Sequence, residues 1–163
     1  MGCMTNDHTP SVLFICTGNI CRSPTAHALL LHKAAGLGWT VKVDSAAVSG
    51  EEVGNPPDAR ALTELKRRGV AMPSHRARRV TREDFDRYDL VVGMTTSHVS
   101  ALRRLAPDAG EKIALLMDFT KGPRDVDVPD PWYGSAKDFV HAFDMIDRGV
   151  EGIVQALREP AQR

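Results

Sequence analysis

The sequence predicts an α/β fold built on a parallel sheet. Strand-like and helix-like segments alternate along the 163 residues, as they do in chains whose parallel strands are joined by crossover helices. No repeat, low-complexity tract or linker breaks this alternation, and the length suits one domain with one core. We therefore expect one folded domain over residues 11–163, preceded by a polar, disordered leader over residues 1–10.

Short apolar runs predict the strands, and apolar residues at steps of three and four predict the helices. The predicted strands cover residues 11–16, 40–44, 89–94 and 112–117. The predicted helices cover residues 23–36, 57–69, 97–106 and 136–158, with a shorter one near 81–87. Gly69, which follows three basic residues, is expected to stop the second helix.

The first strand leads into a stretch that is typical of an anion site. Residues 12–15 are apolar, residues 16–22 form a short loop, and Ser23-Pro24 predicts a helix start with Ser23 as the N-cap. Backbone N–H groups of such a loop converge on one concavity, and the helix dipole adds positive potential there. A phosphate fits this site.

Two residues of the loop predict chemistry as well as binding. Arg22 can hold two phosphate oxygens with its planar guanidinium. The field that attracts phosphate also favours the thiolate of Cys16, the first residue of the loop. Gly18 and Asn19 are residue types that tolerate the positive φ expected in a tight loop. A thiolate beneath a bound phosphate is placed to attack phosphorus.

Ligands of an open parallel sheet bind beyond the carboxyl ends of its strands. The stretches that begin at Ser45, Thr95 and Asp118 should therefore gather near Cys16.

Composition narrows the function class. The formal net charge is zero, so we expect neither a nucleic-acid nor a membrane partner. Apolar runs fall short of the roughly 20 residues of a membrane span, and a signal-peptide core is missing. The three cysteines argue against a disulfide scaffold and predict that the protein is located in the cytoplasm. Export without a signal peptide is the open alternative. The histidines show no metal-ligand spacing, so we expect no metal and no cofactor.

The run CTGNICRSP immediately after an N-terminal strand resembles the low molecular weight protein tyrosine phosphatases, and the resemblance extends from residue 11 to about 158. It implies a three-layer sandwich with a four-stranded parallel sheet in the order 2-1-3-4 and helices on both faces. It also implies a phosphatase domain over residues 11–163 that acts on phosphotyrosine-containing protein. Phosphate or another oxyanion would bind the loop made of Thr17, Gly18, Asn19, Ile20, Cys21 and Arg22.

Asp130 is the candidate general acid. It lies in Val-Pro-Asp-Pro-Trp-Tyr-Gly after the last predicted strand, although Asp-Pro by itself is as often an ordinary turn. The family carries its acid in an Asp-Pro-aromatic-aromatic-Gly loop, which the resemblance maps onto Asp130. Asp118, Asp125 and Asp127 are the competing carboxylates, expected to serve only the loop and the surface.

The resemblance also assigns supporting and groove residues. Ser45 and His75 map onto a network that holds Asn19, while Ser23 could bond the thiolate, cap the helix, or do both. The predicted substrate groove contains Ile20, Glu51, Trp132 and Tyr133. Glu51 and Trp132 depart from the residues common in relatives, as does Thr95 where relatives often carry Asp. These departures leave the substrate preference open.

The residues predict a two-step hydrolysis with Cys16 as nucleophile, Arg22 as phosphate clamp and Asp130 as acid and then base. Cys21 could form a protective disulfide with Cys16, or simply pack the loop. A protein phosphoarginine phosphatase is the main alternative, although such enzymes tend to carry Thr at the position of Ile20. An arsenate reductase would need cysteines after Cys21, and a non-catalytic phosphate-binding module would not need all three catalytic residues.

Overall fold

A four-stranded parallel sheet forms the centre of the structure, a computed structural model that describes residues 8–158. Its strands lie in the order β2-β1-β3-β4. They are β1 (Ser11–Cys16), β2 (Lys42–Ala47), β3 (Leu90–Gly93) and β4 (Ile113–Leu115). The predicted fold class, the parallel pairing and the strand order are confirmed.

Helices cover both faces of the sheet. They are α1 (Arg22–Gly36), α2 (Ala59–Arg67), α3 (Asp84–Arg87), α4 (Thr96–Leu105) and α5 (Ala136–Arg158), with 3₁₀ segments over Pro107–Lys112 and Leu116–Phe119. The predicted bounds of α5 agree with the structure, and those of α1 and α4 differ by one residue. The prediction for α2 was too long at both ends, because Asp58 caps the helix by accepting the Arg60 N–H and Gly69 ends it with a φ of 74°.

Strand β1 separates two apolar cores. All six of its residues are buried, and successive side chains point to opposite faces of the sheet. Val12 and Phe14 join the core beneath α1 and α5, whereas Leu13 and Ile15 join the core beneath α3 and α4. The sheet is therefore the middle layer, and the carboxyl end of β1 is held rigidly from both sides.

Strand β2 runs further than its sequence predicts. Ser45, Ala46 and Ala47 were expected to follow the strand, but they pair with Phe14, Ile15 and Cys16 of β1. Small residues carry little strand propensity, and burial against β1 decides their conformation instead. Ser45 thus lies inside the sheet rather than in a loop at its edge. The prediction for β4 was too long, since the chain turns into the 3₁₀ segment after Leu115.

Within residues 8–158, none of the helices combines the length and the apolar character that crossing a bilayer requires. Residues 1–7 of the predicted leader lie outside the described residues, as do residues 159–163. The leader therefore stays a prediction.

Candidate active site

The loop between β1 and α1 forms a concavity lined by backbone N–H groups. Its carbonyl groups point outward, because those of Cys16, Thr17, Ile20 and Cys21 accept backbone N–H groups from Val48, Ser49, Asp58 and Thr25. A peptide plane carries its N–H opposite its carbonyl, so the N–H groups turn toward the inside of the loop. The dipole of α1, which begins at Arg22, adds positive potential at the same place.

Asn19 and Gly18 shape the loop for different reasons. Asn19 has a φ of 61°, as expected, whereas Gly18 has no positive φ, so that part of the prediction was wrong. A Cβ atom at Gly18 would lie 3.0 Å from Cγ of Glu52. The glycine therefore leaves room for the Glu52 side chain of the neighbouring loop, and its own dihedral angles do not require it.

Cys16 is surrounded by hydrogen-bond donors. Its Sγ lies 3.0 Å from Ser23 Oγ and accepts the Asn19 N–H at 3.2 Å. The Asn19 side-chain amide donates to Ser23 Oγ at 2.9 Å, which leaves the hydroxyl proton of Ser23 for the sulfur. The N-cap position of α1 is Cys21, so the prediction that Ser23 caps the helix was wrong. Two hydrogen-bond donors therefore contact the Cys16 sulfur.

Arg22 is buried and held from two sides. Its Nη1 donates to the carbonyl oxygen of Val128 at 2.9 Å, and its Nη2 donates to Thr17 Oγ1 at 3.4 Å. The same Nη2 lies 3.5 Å from Asp130 Oδ2. Only 6% of the Arg22 side chain is exposed, so the guanidinium is preorganised beside the loop rather than free in solvent.

Asp130 lies at the mouth of the loop with 53% of its side chain exposed. Its Oδ1 accepts the Trp132 N–H at 3.0 Å, and Oδ2 faces Arg22. The competing carboxylates contact other groups. Asp127 accepts the Thr96 N–H at the start of α4, and Asp118 accepts the Asp125 N–H.

One cavity of ≈ 260 Å³ brings the predicted residues together. It is lined by Cys16, Thr17, Gly18, Ile20, Cys21, Arg22, Glu51, Glu52, Asp130, Trp132 and Tyr133. Every predicted groove residue is among them, and Glu52 is an addition. Tyr133 is 97% exposed, so it borders the cavity from the solvent side.

A buried polar network supports the loop from behind. His75 Nε2 lies 2.9 Å from Asn19 Oδ1 and 3.2 Å from Ser45 Oγ. Asn19 Oδ1 also accepts the Arg78 N–H at 3.1 Å. Burial lowers the pKa of His75. The structure therefore places both predicted supporting residues beside the loop.

Cys21 lies beneath the same cavity and is buried. Burial, reinforced by the electrostatic effect of nearby Cys16, Asp58 and Asp130, raises the pKa of the Cys21 thiol to about 12. Cys21 is therefore a neutral thiol at neutral pH, unlike an activated nucleophile.

Sequence reasoning missed His98, which holds Thr17. His98 Nε2 lies 2.9 Å from Thr17 Oγ1, while its Nδ1 accepts the Thr95 N–H at 3.2 Å. Thr95 Oγ1 accepts the His98 N–H in return, so Thr95 and His98 form a capping box at the start of α4. Burial and the Arg22 cation lower the pKa of His98 to about 4. The Thr-x-x-His spacing was the signal that could have identified this pair.

Arg60 is a second missed residue, and it joins α2 to the loop that carries Asp130. It donates to the Trp132 carbonyl oxygen at 3.0 Å and stacks over the Trp132 and Phe139 rings. Asp58 binds Arg60 through both carboxylate oxygens, and the Asp58 N–H donates to Ile20 O. These contacts connect the phosphate-binding loop with the Asp130 loop.

The arrangement places a sulfur nucleophile, a buried cation and an accessible carboxylate around one small cavity. Such a set can bind a phosphate dianion, attack its phosphorus atom and protonate the group that leaves. Comparisons with known proteins show the family to which the chain belongs.

A family model described as low molecular weight phosphotyrosine protein phosphatase matches residues 11–163. A low molecular weight protein-tyrosine-phosphatase from Streptomyces coelicolor is 39% identical over 160 residues, which cover 94% of this chain and 97% of the relative. The crystal structure of YfkJ from Bacillus subtilis is 33% identical, with a TM-score of 0.90 over 97% of this chain and 100% of that chain. The crystal structure of DARP, the Drosophila arginine phosphatase, is 30% identical, with a TM-score of 0.84 over 91% of this chain and 98% of that chain. This chain therefore belongs to the low molecular weight protein tyrosine phosphatase family and is an enzyme of that family.

Proposed function

We propose that this chain removes phosphate from phosphotyrosine in proteins through a cysteinyl-phosphate intermediate. The Cys16 thiolate attacks phosphorus in line with the departing oxygen. Arg22 and the N–H groups of the loop hold the three equatorial oxygens, where charge accumulates in the transition state. Asp130 protonates the departing phenolic oxygen. In the second step Asp130 takes a proton from water, which attacks the cysteinyl-phosphate and releases inorganic phosphate and the thiolate.

The observation that carries this proposal is the shared cavity of Cys16, Arg22 and Asp130. The nucleophile lies at the end of a buried strand, and the acid lies on a segment more than 100 residues further along the chain. The 3.5 Å separation of Asp130 Oδ2 from Arg22 Nη2 supports the proposed role of Asp130, because the carboxylate lies next to the guanidinium that we expect to hold the phosphate.

The acid assignment is tested with leaving groups of different acidity. Asp130→Asn should slow the release of an alkyl alcohol or a phenol much more than the release of p-nitrophenol, which leaves without a proton. Asp125→Asn, the same substitution earlier in the same segment, is the matched control and should change neither rate. Equal slowing of good and poor leaving groups by Asp130→Asn would contradict the role of Asp130 as the acid.

The nucleophile and the clamp have separate tests. Cys16→Ser should abolish turnover of p-nitrophenyl phosphate while the protein still binds inorganic phosphate. Arg22→Lys keeps the charge but loses the planar pair of donors, so kcat should fall strongly. Retention of turnover by Cys16→Ser would overturn the covalent mechanism.

A phosphoarginine substrate is the second candidate. The similarity to the Drosophila arginine phosphatase favours it, as do the carboxylates of Glu51 and Glu52 at the cavity, which could accept guanidinium N–H groups. Ile20, an apolar wall, favours an aromatic ester instead. We expect a higher kcat/KM for phosphotyrosine than for phosphoarginine in the same peptide sequence, and the reverse order would select the second candidate. An arsenate reductase has no support, because the sequence contains no cysteine after Cys21.

A further inference from the structure

Three side chains behind the phosphate-binding loop form a cluster of metal-ligand type. His27 comes from α1, Asp44 from β2 and His75 from the segment between α2 and α3. One ring nitrogen of each histidine and one carboxylate oxygen lie within 4.8 Å of one another. The positions are far apart in sequence, which is why ligand spacing did not reveal the cluster. None of the three side chains lines the catalytic cavity.

Hydrogen bonding determines which nitrogen of His75 is free. Asn19 Oδ1 accepts the Arg78 N–H, so it also faces His75 Nε2 as an acceptor, and Nε2 must carry a proton. In the neutral ring, Nδ1 is then a bare lone pair. It lies 3.7 Å from Asp44 Oδ1, which is another acceptor. A separation of 3.7 Å lets both acceptors bind one metal ion at ordinary ligand distances of about 2.0–2.2 Å.

The ring positions suit second-shell support of a metal. Ser45 Oγ lies 3.3 Å from His27 Nδ1 and 3.2 Å from His75 Nε2, so one buried hydroxyl contacts both rings. Metal-binding histidines typically use their second nitrogen in this way, and the contact fixes the ring orientation. The two rings meet edge to face with centroids 5.5 Å apart.

The surrounding charges favour a cation. Asp44 Oδ2 is bound by Arg78 Nε at 3.1 Å, but Arg78 also pairs through both terminal nitrogens with the buried Asp84. The two carboxylates and one guanidinium carry a net negative charge. Asp44 has 30% of its side chain exposed, which provides a route for an ion from solvent.

We propose that His27, Asp44 and His75 bind one divalent transition-metal ion, with water as the remaining ligand. Two imidazoles and one carboxylate form a donor set that suits Zn²⁺. A bound ion would draw electron density from the His75 ring and strengthen its N–H bond to Asn19, which donates to Cys16. The site would therefore lie one hydrogen bond behind the phosphate-binding loop.

Co²⁺ is the probe, because its visible absorption reports the geometry and the ligand type. The full-length chain is used with Cys3→Ser, Cys16→Ser and Cys21→Ser, so that thiols contribute no binding and activity is not the readout. We expect one Co²⁺ per chain with visible bands typical of four-coordinate Co²⁺, and competition by Zn²⁺. Separate His27→Gln and Asp44→Asn substitutions should each weaken binding at least tenfold. His141→Gln, at an exposed histidine, should leave it unchanged.

A second measurement needs no substitution at the site. Ni²⁺ titrated into the same thiol-free protein should broaden the imidazole NMR signals of His27 and His75 before those of His141. Absence of saturable Co²⁺ binding would overturn the proposal. Co²⁺ affinity in the His27→Gln or Asp44→Asn variant equal to that of the thiol-free protein would overturn it as well, as would NMR broadening that begins at His141.

Discussion

Asn19→Ala should destabilise the protein more than most single substitutions, because Asn19 is fully buried and joins four groups. The substitution removes the acceptor of the Arg78 N–H and of the His75 N–H, and the donor to Ser23 Oγ. A buried donor left without an acceptor costs about 1–3 kcal/mol, which applies to the Arg78 N–H, whereas the His75 N–H keeps Ser45 Oγ at 3.2 Å as an acceptor. The φ of 61° adds roughly 1 kcal/mol once the Asn side chain is gone. We expect a loss of about 2–4 kcal/mol, a large share of the 5–15 kcal/mol of an ordinary domain.

Asn19→Gly separates the two causes of this loss. Glycine loses the same side-chain bonds but accepts positive φ, so the glycine variant should be about 1 kcal/mol more stable than the alanine variant. Urea unfolding at neutral pH measures both free energies of unfolding, provided that the m-values agree. Asn55→Ala, the same substitution at an exposed asparagine, is the matched control and should cost under about 1 kcal/mol.

The kinetic consequence is measured on the folded fraction of each variant. Asn19 donates its own N–H to Cys16 Sγ, and this bond depends on the loop conformation. We expect kcat for p-nitrophenyl phosphate to fall at least about tenfold in both variants, because the sulfur moves relative to the phosphate site. A loss of stability below about 1 kcal/mol, or equal stability of the alanine and glycine variants, would refute the reasoning.

Three further predictions concern residues around the loop. His98 has a pKa of about 4 in the fold against an ordinary 6.5, so the unfolded chain binds a proton there first and stability falls as the pH drops from about 6.5 to 4. The loss in the free energy of unfolding reaches about 3 kcal/mol. Urea unfolding between pH 6.5 and about 4 should show that His98→Gln removes this part of the pH dependence. The same pH dependence in His98→Gln as in the parent would contradict the role of His98. Arg60→Gln removes the contact that holds the segment carrying Asp130. The kcat should therefore fall about tenfold for poor leaving groups and little for p-nitrophenol. An equal fall for both would argue that Arg60 does not position Asp130. Peroxide should convert Cys16 to a sulfenic acid that condenses with the Cys21 thiol, releasing water and forming a disulfide that thiols reduce. Cys21→Ser should then recover less activity than the parent after peroxide and thiol treatment, and full recovery would show that Cys21 only packs the loop.

Some features of the site followed from local sequence because their causes are local. A buried apolar strand, a short loop with Cys16 and Arg22 at its ends, and the helix start are neighbours in the chain, so their order predicts an anion site. Asp130 was ambiguous by the same reasoning, since an Asp-Pro turn has no chemistry of its own, and only the family resemblance singled it out.

Other features depend on contacts between distant segments. The Arg22 guanidinium is held by the carbonyl oxygen of Val128, 106 positions away, and a backbone carbonyl has no sequence signature. Ser45 lies within β2 because burial against β1 outweighs the low strand propensity of small residues. Gly18 leaves room for the side chain of Glu52, which lies on a neighbouring loop.

The sequence by itself predicted the α/β class, a phosphate-binding loop and the candidates for its nucleophile and cation, because strand patterning and loop chemistry act over a few adjacent residues. Only the tertiary structure decided which groups hold them: Val128 and Thr17 around Arg22, Arg60 on the Asp130 segment, and the His27, Asp44 and His75 cluster behind Asn19. Hydrogen bonds and ion pairs depend on the distance and direction between atoms, and packing of the sheet and helices sets these for residues that the sequence separates.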